Sequence, residues 1–488
     1  MARTPVTLES LLPPGVDAPG RAGELMVKGL QLDSRKVGQG DVFAALPGVR
    51  TDGRNFIAAA EDQGAVAILA PKGTQTIAPL IGADDPREAL AAMAAKFHPR
   101  QPETIAAVTG TNGKSSTVEF LRQIWAADGR EAAALGTLGV TRSDGAVSVG
   151  YTTPDAIALH EALDRLAADG VTHLAMEASS HGLKQRRMDG AKVSLVGFTN
   201  LTQDHLDYHP DFEDYFASKM RLFDALAPAG APAVVNVDSD WGGKVAEGAR
   251  KAGLKVDEIG WRGRTLKIEE ITPRPASQSV RFSWDGEPVE AELPLIGEFQ
   301  TLNALGAAAL AIRSGVSPET AFAALERLAG VPGRLELAGK TKAEAPVLID
   351  YAHTPDGLDK LLRAARPHTQ GRVIVVFGAG GDRDPTKREK MGRTAAKLAD
   401  HVIVTDDNPR SENPAEIRRA IRQGCPDAAE IADRRAAIRE AVGLLREGDA
   451  LLIAGKGHET GQIFADRTEP FDDREEARAA LAAMGDAS

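Results

Sequence analysis

Residues 108–116, VTGTNGKSS, combine side chains and spacing suited to phosphate chemistry. The β-branched run TIAAV (104–108) feeds a turn in which Gly110 and Gly113 free backbone N–H groups to wrap a polyphosphate. Lys114 would reach the terminal phosphate oxygens and Ser115 would ligate Mg²⁺, with Thr111, Asn112 and Ser116 completing the loop. The general spacing G-x-x-x-x-G-K-[ST] is not met, because its first glycine would fall at Val108. GTNGKS is a shorter variant of the same idea: strand, glycine turn, helix.

Other candidate groups follow apolar runs. Glu177 directly follows THLAM, and His205 lies in TNLTQDHLDYH (199–209) after VSLVGF. A carboxylate and an imidazole at strand ends beside a phosphate loop suit Mg²⁺ or its waters; the plainer reading is a capped loop with two solvated polar residues. In DYFASKMRLFDAL (214–226), Phe216, Lys219, Phe223 and Leu226 share helical spacing, which puts Lys219 on the apolar stripe. Such a lysine usually snorkels to water. A desolvated one has a lowered pKa and can take up CO₂ as a carbamate, gaining the character of a carboxylate. The residues alone favour snorkelling. FGAGGDRD (377–384) contains no G-x-G-x-x-G. DNPR (407–410) and GKGHE (455–459) both end apolar runs, and Arg383, Arg410, Asp407 and Glu459 together could bind a zwitterion. Surface salt bridges explain the same four residues equally well.

The elements that must carry these groups alternate along the chain. At 488 residues, and about 150 residues per domain, roughly three domains are expected. Residues 1–98 hold short strands such as DVFAAL (41–46) and AVAILA (65–70) between Gly and Pro turns, a small α/β domain. The Pro-rich hinge FHPRQPET (97–104) leads into a second domain, 99–333, whose strands THLAMEA (172–178), VSLVGFTN (193–200) and APAVVNVD (231–238) alternate with helices, as in a parallel doubly wound sheet. Residues 257–296 alternate instead, and predict a small β insertion or sheet edge; a helix from about 299 to 314 follows. After VPGR (331–334), the strands VLIDYA, RVIVVFG, HVIVTDD and ALLIAG predict a third α/β layer over 334–488. Net charge is −11, with no basic stripe that would suit nucleic acid. Cys425 is the sole cysteine, so no intramolecular disulfide can form. No apolar run is long enough to span a bilayer and no signal segment opens the chain, so a cytoplasmic protein is expected.

The motifs together resemble the Mur ligase family. The resemblance rests on LDSRKVGQGDVFAALPG (32–48), GTNGKSS, TTPD (152–155), MEASSHGL (176–183), TNLTQDHLDYH, YFASKMRLF (215–223), PGRLE (332–336), DYAHTPDGL (350–358), GGDRD (380–384), DNPR and GKGHE, in that order. It implies three α/β domains: a small uridine-binding one, a central P-loop ATPase-type parallel sheet, and a Rossmann-like C-terminal one. It also implies an ATP-dependent ligase using Mg²⁺, of the branch that adds meso-diaminopimelate to UDP-MurNAc-L-Ala-D-Glu through an acyl phosphate. By this resemblance Leu32, Ser34, Val49, Arg50 and Thr51 would meet the sugar nucleotide, and Tyr151, Thr152, Thr153, Ser179, Gln185 and Arg187 the muramoyl peptide. Asn303, Arg334 and Asp350 would complete the ATP pocket on residues 110–116, and Ser115, Glu177 and His205 the magnesium site. Lys219 would be carbamylated and catalytic, beside Lys114, Glu177 and His205, which overturns the snorkelling preference. Arg383, Asp407, Asn408, Pro409, Arg410, Gly455 and Glu459 would form the diaminopimelate pocket. The expected partners are these small molecules, acting on a monomer, with neither nucleic acid nor membrane insertion. A lysine-adding sister enzyme, a folylpolyglutamate synthase and a P-loop NTPase without ligase chemistry are the alternatives.

Overall fold

The computed structural model describes residues 5–16, 20–48, 51–142, 145–147, 153–202 and 208–485. Its chain forms two compact units, Met1–Glu258 with Ala309–Ser317, and Ile259–Ala308 with Pro318–Ser488. Among the described residues no helix is long and apolar enough to cross a membrane.

The first unit opens with a parallel sheet in the order Gly29–Gln31, Asp41–Ala44, Ala67–Pro71, Leu80–Ala83. The helix Pro86–Phe97 starts on an Asp85 cap with proline at its first position, a combination that satisfies the orphan N–H groups and presets φ. It buries Leu90, Met93, Ala94 and Phe97 against Leu30, Val42, Leu69 and Ile81. A larger sheet follows. Thr104–Thr109 lies between His173–Glu177 and Leu195–Phe198, all parallel. Ala132–Gly136 flanks His173–Glu177, and Pro232–Asn236 flanks Leu195–Phe198. These strands are unbroken apolar runs because helices cover both faces. The chain leaves Thr104–Thr109 toward one side of the sheet and later returns to the other, so the loops after Thr109, Glu177 and Phe198 open at a topological switch point, where α/β sheets bind ligands.

In the second unit the alternation read over 257–296 is an antiparallel meander, Leu266–Arg274, Ser277–Trp284 and Glu287–Leu293. Val280, Phe282 and Trp284 point inward while Arg281 is exposed. The sheet beyond it runs Glu336–Lys340, Pro346–Asp350, Ala450–Ala454, Val373–Phe377, His401–Val404, Ala429–Glu430, parallel except for the first strand. Its two faces carry separate cores: Leu348, Val373 and Val375 pack under Leu358, Leu362, Met391 and Ile421, and Val347, Ile349 and Ile374 under Ile438, Ala441 and Leu481. That is a doubly wound α/β layer. Asp350 ends one of its parallel strands, and the segments after the others hold Arg383, Asp407–Arg410 and Gly455–Glu459.

Candidate active site

The phosphate loop is built by two glycines. Gly110 has φ 151° and Gly113 φ 87°, and a Cβ on Gly110 would lie 1.9 Å from Thr199 Oγ1, so only glycine fits. The helix Lys114–Ala127 begins at Gly113 with no side-chain cap, which leaves its first N–H groups for an anion. The segment after Phe198 braces the loop. Thr199 Oγ1 donates to the Asn112 carbonyl at 2.6 Å, Asn200 Oδ1 accepts from the Asn112 N–H at 3.0 Å, and the Asn200 carbonyl accepts from the Thr111 N–H at 2.8 Å. Lys114 folds back over the turn, donating to the carbonyls of Gly110 at 3.0 Å and Thr111 at 2.9 Å.

Glu177 is brought directly to this helix start. It is buried, and its Oε1 accepts from Ser115 Oγ and from the Thr137 N–H, both at 2.8 Å. The Thr137 hydroxyl adds a longer bond to Oε2. Lys219, in the helix Phe212–Arg221, is only 2% exposed and does not snorkel. Its Nζ donates to the Gly110 carbonyl at 2.8 Å and lies 4.4 Å from the centre of the Tyr215 ring, whose hydroxyl bonds Thr111 Oγ1 at 3.0 Å. This burial rules out the solvent-seeking placement. Among the described residues no three His, Cys, Asp or Glu side chains converge as a metal cluster; His205 lies outside the described residues.

Four of the residues expected at the muramoyl peptide form one network. Thr153 Oγ1 donates to the Glu177 carbonyl at 3.1 Å and accepts from Ser179 Oγ at 3.0 Å. Arg187 donates to the Thr153 carbonyl at 2.7 Å and to Gln185 Oε1 at 2.8 Å. Gln185 in turn donates to the Tyr208 hydroxyl. Beneath them His209 is fully buried between Asp214, at 2.6 Å, and Ser180, at 3.1 Å. Burial works against the charge on Asp214, yet Lys184 and His209 hold its carboxyl below the usual range. Tyr151 and Thr152 lie outside the described residues. Of the sugar-nucleotide candidates, half-buried Leu32 and buried Ser34 follow the strand Gly29–Gln31, whose parallel neighbour Asp41–Ala44 ends at the same edge. Thr51 is exposed, its carbonyl tucked where a Cβ on Gly48 would sit; Val49 and Arg50 lie outside the described residues.

In the second unit Asn303 donates to Gln300, and Gln300 to the Arg334 carbonyl at 3.2 Å. Arg334 stands over the Tyr351 ring, and Asp350 accepts from the N–H groups of Leu335 and Ala352. Burial raises the Asp350 pKa, opposed by those bonds and by Arg334. Gly333 has φ 68°, and a Cβ there would strike Gly457 and the His458 N–H, so PGR and GKGHE are locked together. The amine-pocket candidates also converge. Asn408 donates to Glu459 Oε2 at 2.8 Å and accepts from Lys456 Nζ at 2.8 Å; Lys456 also lies 3.5 Å from Asp407 Oδ1. Burial pushes the Lys456 pKa down, with Asp407 opposing it. A Cβ on Gly455 would lie 2.7 Å from Asp407 Oδ2, so that glycine makes room for the carboxylate. Arg410 has φ 51°; its Nη1 donates to the Gly381 carbonyl at 2.8 Å, and the Pro409 carbonyl packs on Gly381. Arg383 is exposed.

Three family descriptions match this chain in order: Mur ligase family, catalytic domain, over residues 26–98; Mur ligase middle domain over 108–311; and Mur ligase, glutamate ligase domain over 333–457. The chain belongs to the Mur ligase family. It is 52% identical over 462 residues to the UDP-N-acetylmuramoyl-L-alanyl-D-glutamate–2,6-diaminopimelate ligase of Chelativorans sp. (strain BNC1), covering 94% of this chain and 96% of that one. It is 51% identical over 472 residues to the enzyme of the same name from Brucella melitensis biotype 1, covering 96% of each. A solved structure of a UDP-N-acetylmuramoyl-L-alanyl-D-glutamate–2,6-diaminopimelate ligase superposes with a TM-score of 0.76 at 31% identity, covering 99% of this chain and 100% of that one.

Several residues that shape this Mur ligase site carried no local signal. Thr137 and Asn200 hold Glu177 and the loop only through contacts distant in sequence. Gln300 links Asn303 to Arg334, and Lys456 orients Asn408 from inside GKGHE. Lys456 alone could have been suspected, as a lysine following the apolar strand ALLIA.

Proposed function

We propose that this chain is an ATP-dependent amide ligase that joins meso-diaminopimelate to the D-glutamyl γ-carboxylate of UDP-MurNAc-L-Ala-D-Glu in peptidoglycan synthesis, with domains at 1–98, 99–333 and 334–488. The observation that carries the reading is the Ser115–Glu177 pair at 2.8 Å on an uncapped helix start, with Lys219 buried against the same loop. Two hard oxygen donors side by side beside N–H groups aimed at an anion suit a magnesium–phosphate substrate. Mg²⁺ there would neutralise charge on the phosphates and polarise the transferring group. Lys219, carbamylated, and His205 would extend the oxygen and nitrogen donor set.

ATP would lie on residues 110–116, and Asn303, Arg334 and Asp350 are assigned to nucleotide binding by the same reading. A carboxylate alone does not acylate an amine, since its leaving group would be oxide. The γ-carboxylate oxygen therefore attacks the γ-phosphorus in line and the bond to ADP breaks. Lys114 exchanges the loop carbonyls for the phosphate oxygens and offsets their developing charge. The amine of diaminopimelate adds to the acyl carbon, loses a proton, and expels inorganic phosphate. Thr153, Ser179, Gln185 and Arg187 hold the muramoyl peptide, and Tyr151 and Thr152 extend that contact; Leu32, Ser34 and residues 49–51 hold the sugar nucleotide. Asp407 and Glu459 take the ammonium end of the amine, with Asn408, Pro409 and Gly455 shaping the pocket. Arg383 and Arg410 take the carboxylate end. A cytoplasmic monomer goes with this reading. The test is to measure ADP release while omitting each substrate in turn and exchanging diaminopimelate for L-lysine. Ligation predicts sustained ADP release only with all three substrates present, whereas ADP formed equally fast without the dipeptide and the amine leaves a simple NTPase.

A further inference from the structure

Arg186 sits between two of the residues assigned above to the muramoyl peptide, Gln185 and Arg187, and its backbone is left-handed, with φ 55°. That conformation costs a side-chain-bearing residue on the order of 1 kcal/mol, so something must hold it. Its guanidinium meets three carboxylates. Nε lies 2.6 Å from Asp85 Oδ2, Nη2 3.2 Å from Glu88 Oε2, and Nη1 2.9 Å from Asp189 Oδ2. Asp85 is also the cap of the helix Pro86–Phe97, its other oxygen accepting from the N–H groups of Arg87 and Glu88. Asp189 continues the ladder to Arg221, the last residue of the helix that carries Lys219. The backbone turn itself is closed by Arg186 N–H to Leu183, Arg187 N–H to Gly182 and Asp189 N–H to Arg186. This reversal is what lets Gln185 and Arg187, on either side of Arg186, bond to each other.

We propose that Arg186 is a positioning residue that ties the sugar-nucleotide part of the substrate site to its peptide part. Its guanidinium fastens the 182–189 turn to the capped start of the Pro86–Phe97 helix, and so fixes the Gln185–Arg187 pair without touching substrate. The inference rests on the ligase reading, in which that pair holds the muramoyl peptide. Its guanidinium is more than a quarter exposed, at 28%, so each ion pair alone is weak, but all three act on one turn.

The test uses the full-length enzyme and the variants R186G, R186N and D85N. Glycine accepts φ 55° freely and asparagine tolerates it, so both keep the turn and remove only the charge; asparagine at 85 keeps the cap. R186G and R186N should raise KM for UDP-MurNAc-L-Ala-D-Glu roughly tenfold, a loss equivalent to about 1.4 kcal/mol. Their kcat and their KM for ATP and diaminopimelate should stay within about twofold, as befits a group that acts on ground-state binding of one substrate. D85N should raise the same KM, and R186G/D85N should be no worse than R186G, because both remove one contact. Raising salt should close the gap between wild type and R186G. An unchanged KM in folded R186G and R186N, full additivity with D85N, or an equal loss for all three substrates overturns the proposal. Wild-type enzyme that does not turn over the UDP-dipeptide at all overturns the ligase reading and this inference with it, whereas normal wild-type turnover with indifferent variants overturns this inference alone.

Discussion

Gly136→Ala tests whether the placement of Glu177 governs activity. Gly136 precedes Thr137, and a Cβ there would lie 2.0 Å from Glu177 Oε1 and 2.6 Å from its Cδ. Ordinary contact needs about 3.5 Å, so the carboxylate must retreat by roughly 1.5 Å. That retreat breaks the two 2.8 Å bonds from Ser115 and the Thr137 N–H, each a charge-assisted bond of about 1.5–3 kcal/mol. Displacing a catalytic group by about 1 Å typically lowers rate on the order of 10²-fold, and the variant should lose at least that in kcat. Crowding itself should add only about 1–3 kcal/mol to the loss of those bonds, because Gly136 does not use a positive φ and alanine suits its strand. ADP release at saturating substrates, titrated with Mg²⁺, is the assay, and a higher Mg²⁺ requirement should accompany the loss. Thr137→Val removes the 3.3 Å hydroxyl bond to Glu177 but keeps the Thr137 N–H bond, and should cost less than about tenfold. A folded Gly136→Ala enzyme within about threefold of wild type, or one more active than Thr137→Val, refutes the reasoning.

Lys219→Ala should be nearly inactive and partly rescued by formate or acetate, since a small carboxylate can occupy the place of the carbamate; full activity, or no rescue at any concentration, counts against carbamylation. Arg410→Ala should lose most activity with diaminopimelate while barely changing the poor lysine reaction, because a site built for a carboxylate rejects an analogue lacking it by roughly 10⁴-fold; an unchanged ratio of kcat/KM for the two amines contradicts this. His173 gives a pH prediction. Burial, reinforced by the Arg130 guanidinium at 2.7 Å, pushes its pKa down to about 4. The folded state therefore favours the neutral ring. The stability it contributes is full above the unfolded pKa of about 6.5 and is lost as pH falls toward 4, by at most about 3 kcal/mol. Tm measured from pH 7 to 4.5 should fall less steeply in His173→Gln than in wild type, and parallel curves would exclude the histidine as a cause.

The phosphate loop was legible because strand, glycine turn and helix start are local, and Gly110 and Gly113 adopt the positive φ that the motif demands. The strands were legible as apolar runs, but their ends were not: VSLVGFTN ends at Phe198 because Thr199 and Asn200 leave the sheet to brace the loop. Lys219 was placed on an apolar stripe by spacing alone. What lies opposite it, the Gly110 carbonyl, is 109 residues away and had no local trace. The same holds for the Thr137 and Gln300 contacts, and for the fit of Gly333 against Gly457, which depends on two loops meeting. Arg186 shows the reverse case. Nothing in LKQRRM marks a left-handed arginine; the backbone bonds that close the turn and the ring of carboxylates around its guanidinium account for it.

The central claim, ligation through an acyl phosphate, is tested most directly by following oxygen. With ¹⁸O in both oxygens of the D-glutamyl γ-carboxylate of UDP-MurNAc-L-Ala-D-Glu, and with ATP, Mg²⁺ and diaminopimelate unlabelled, one ¹⁸O should appear in each inorganic phosphate released as the tripeptide forms. Phosphate free of ¹⁸O, alongside ADP formation, would mean that water rather than the carboxylate attacks the γ-phosphorus, and the ligase account would be wrong.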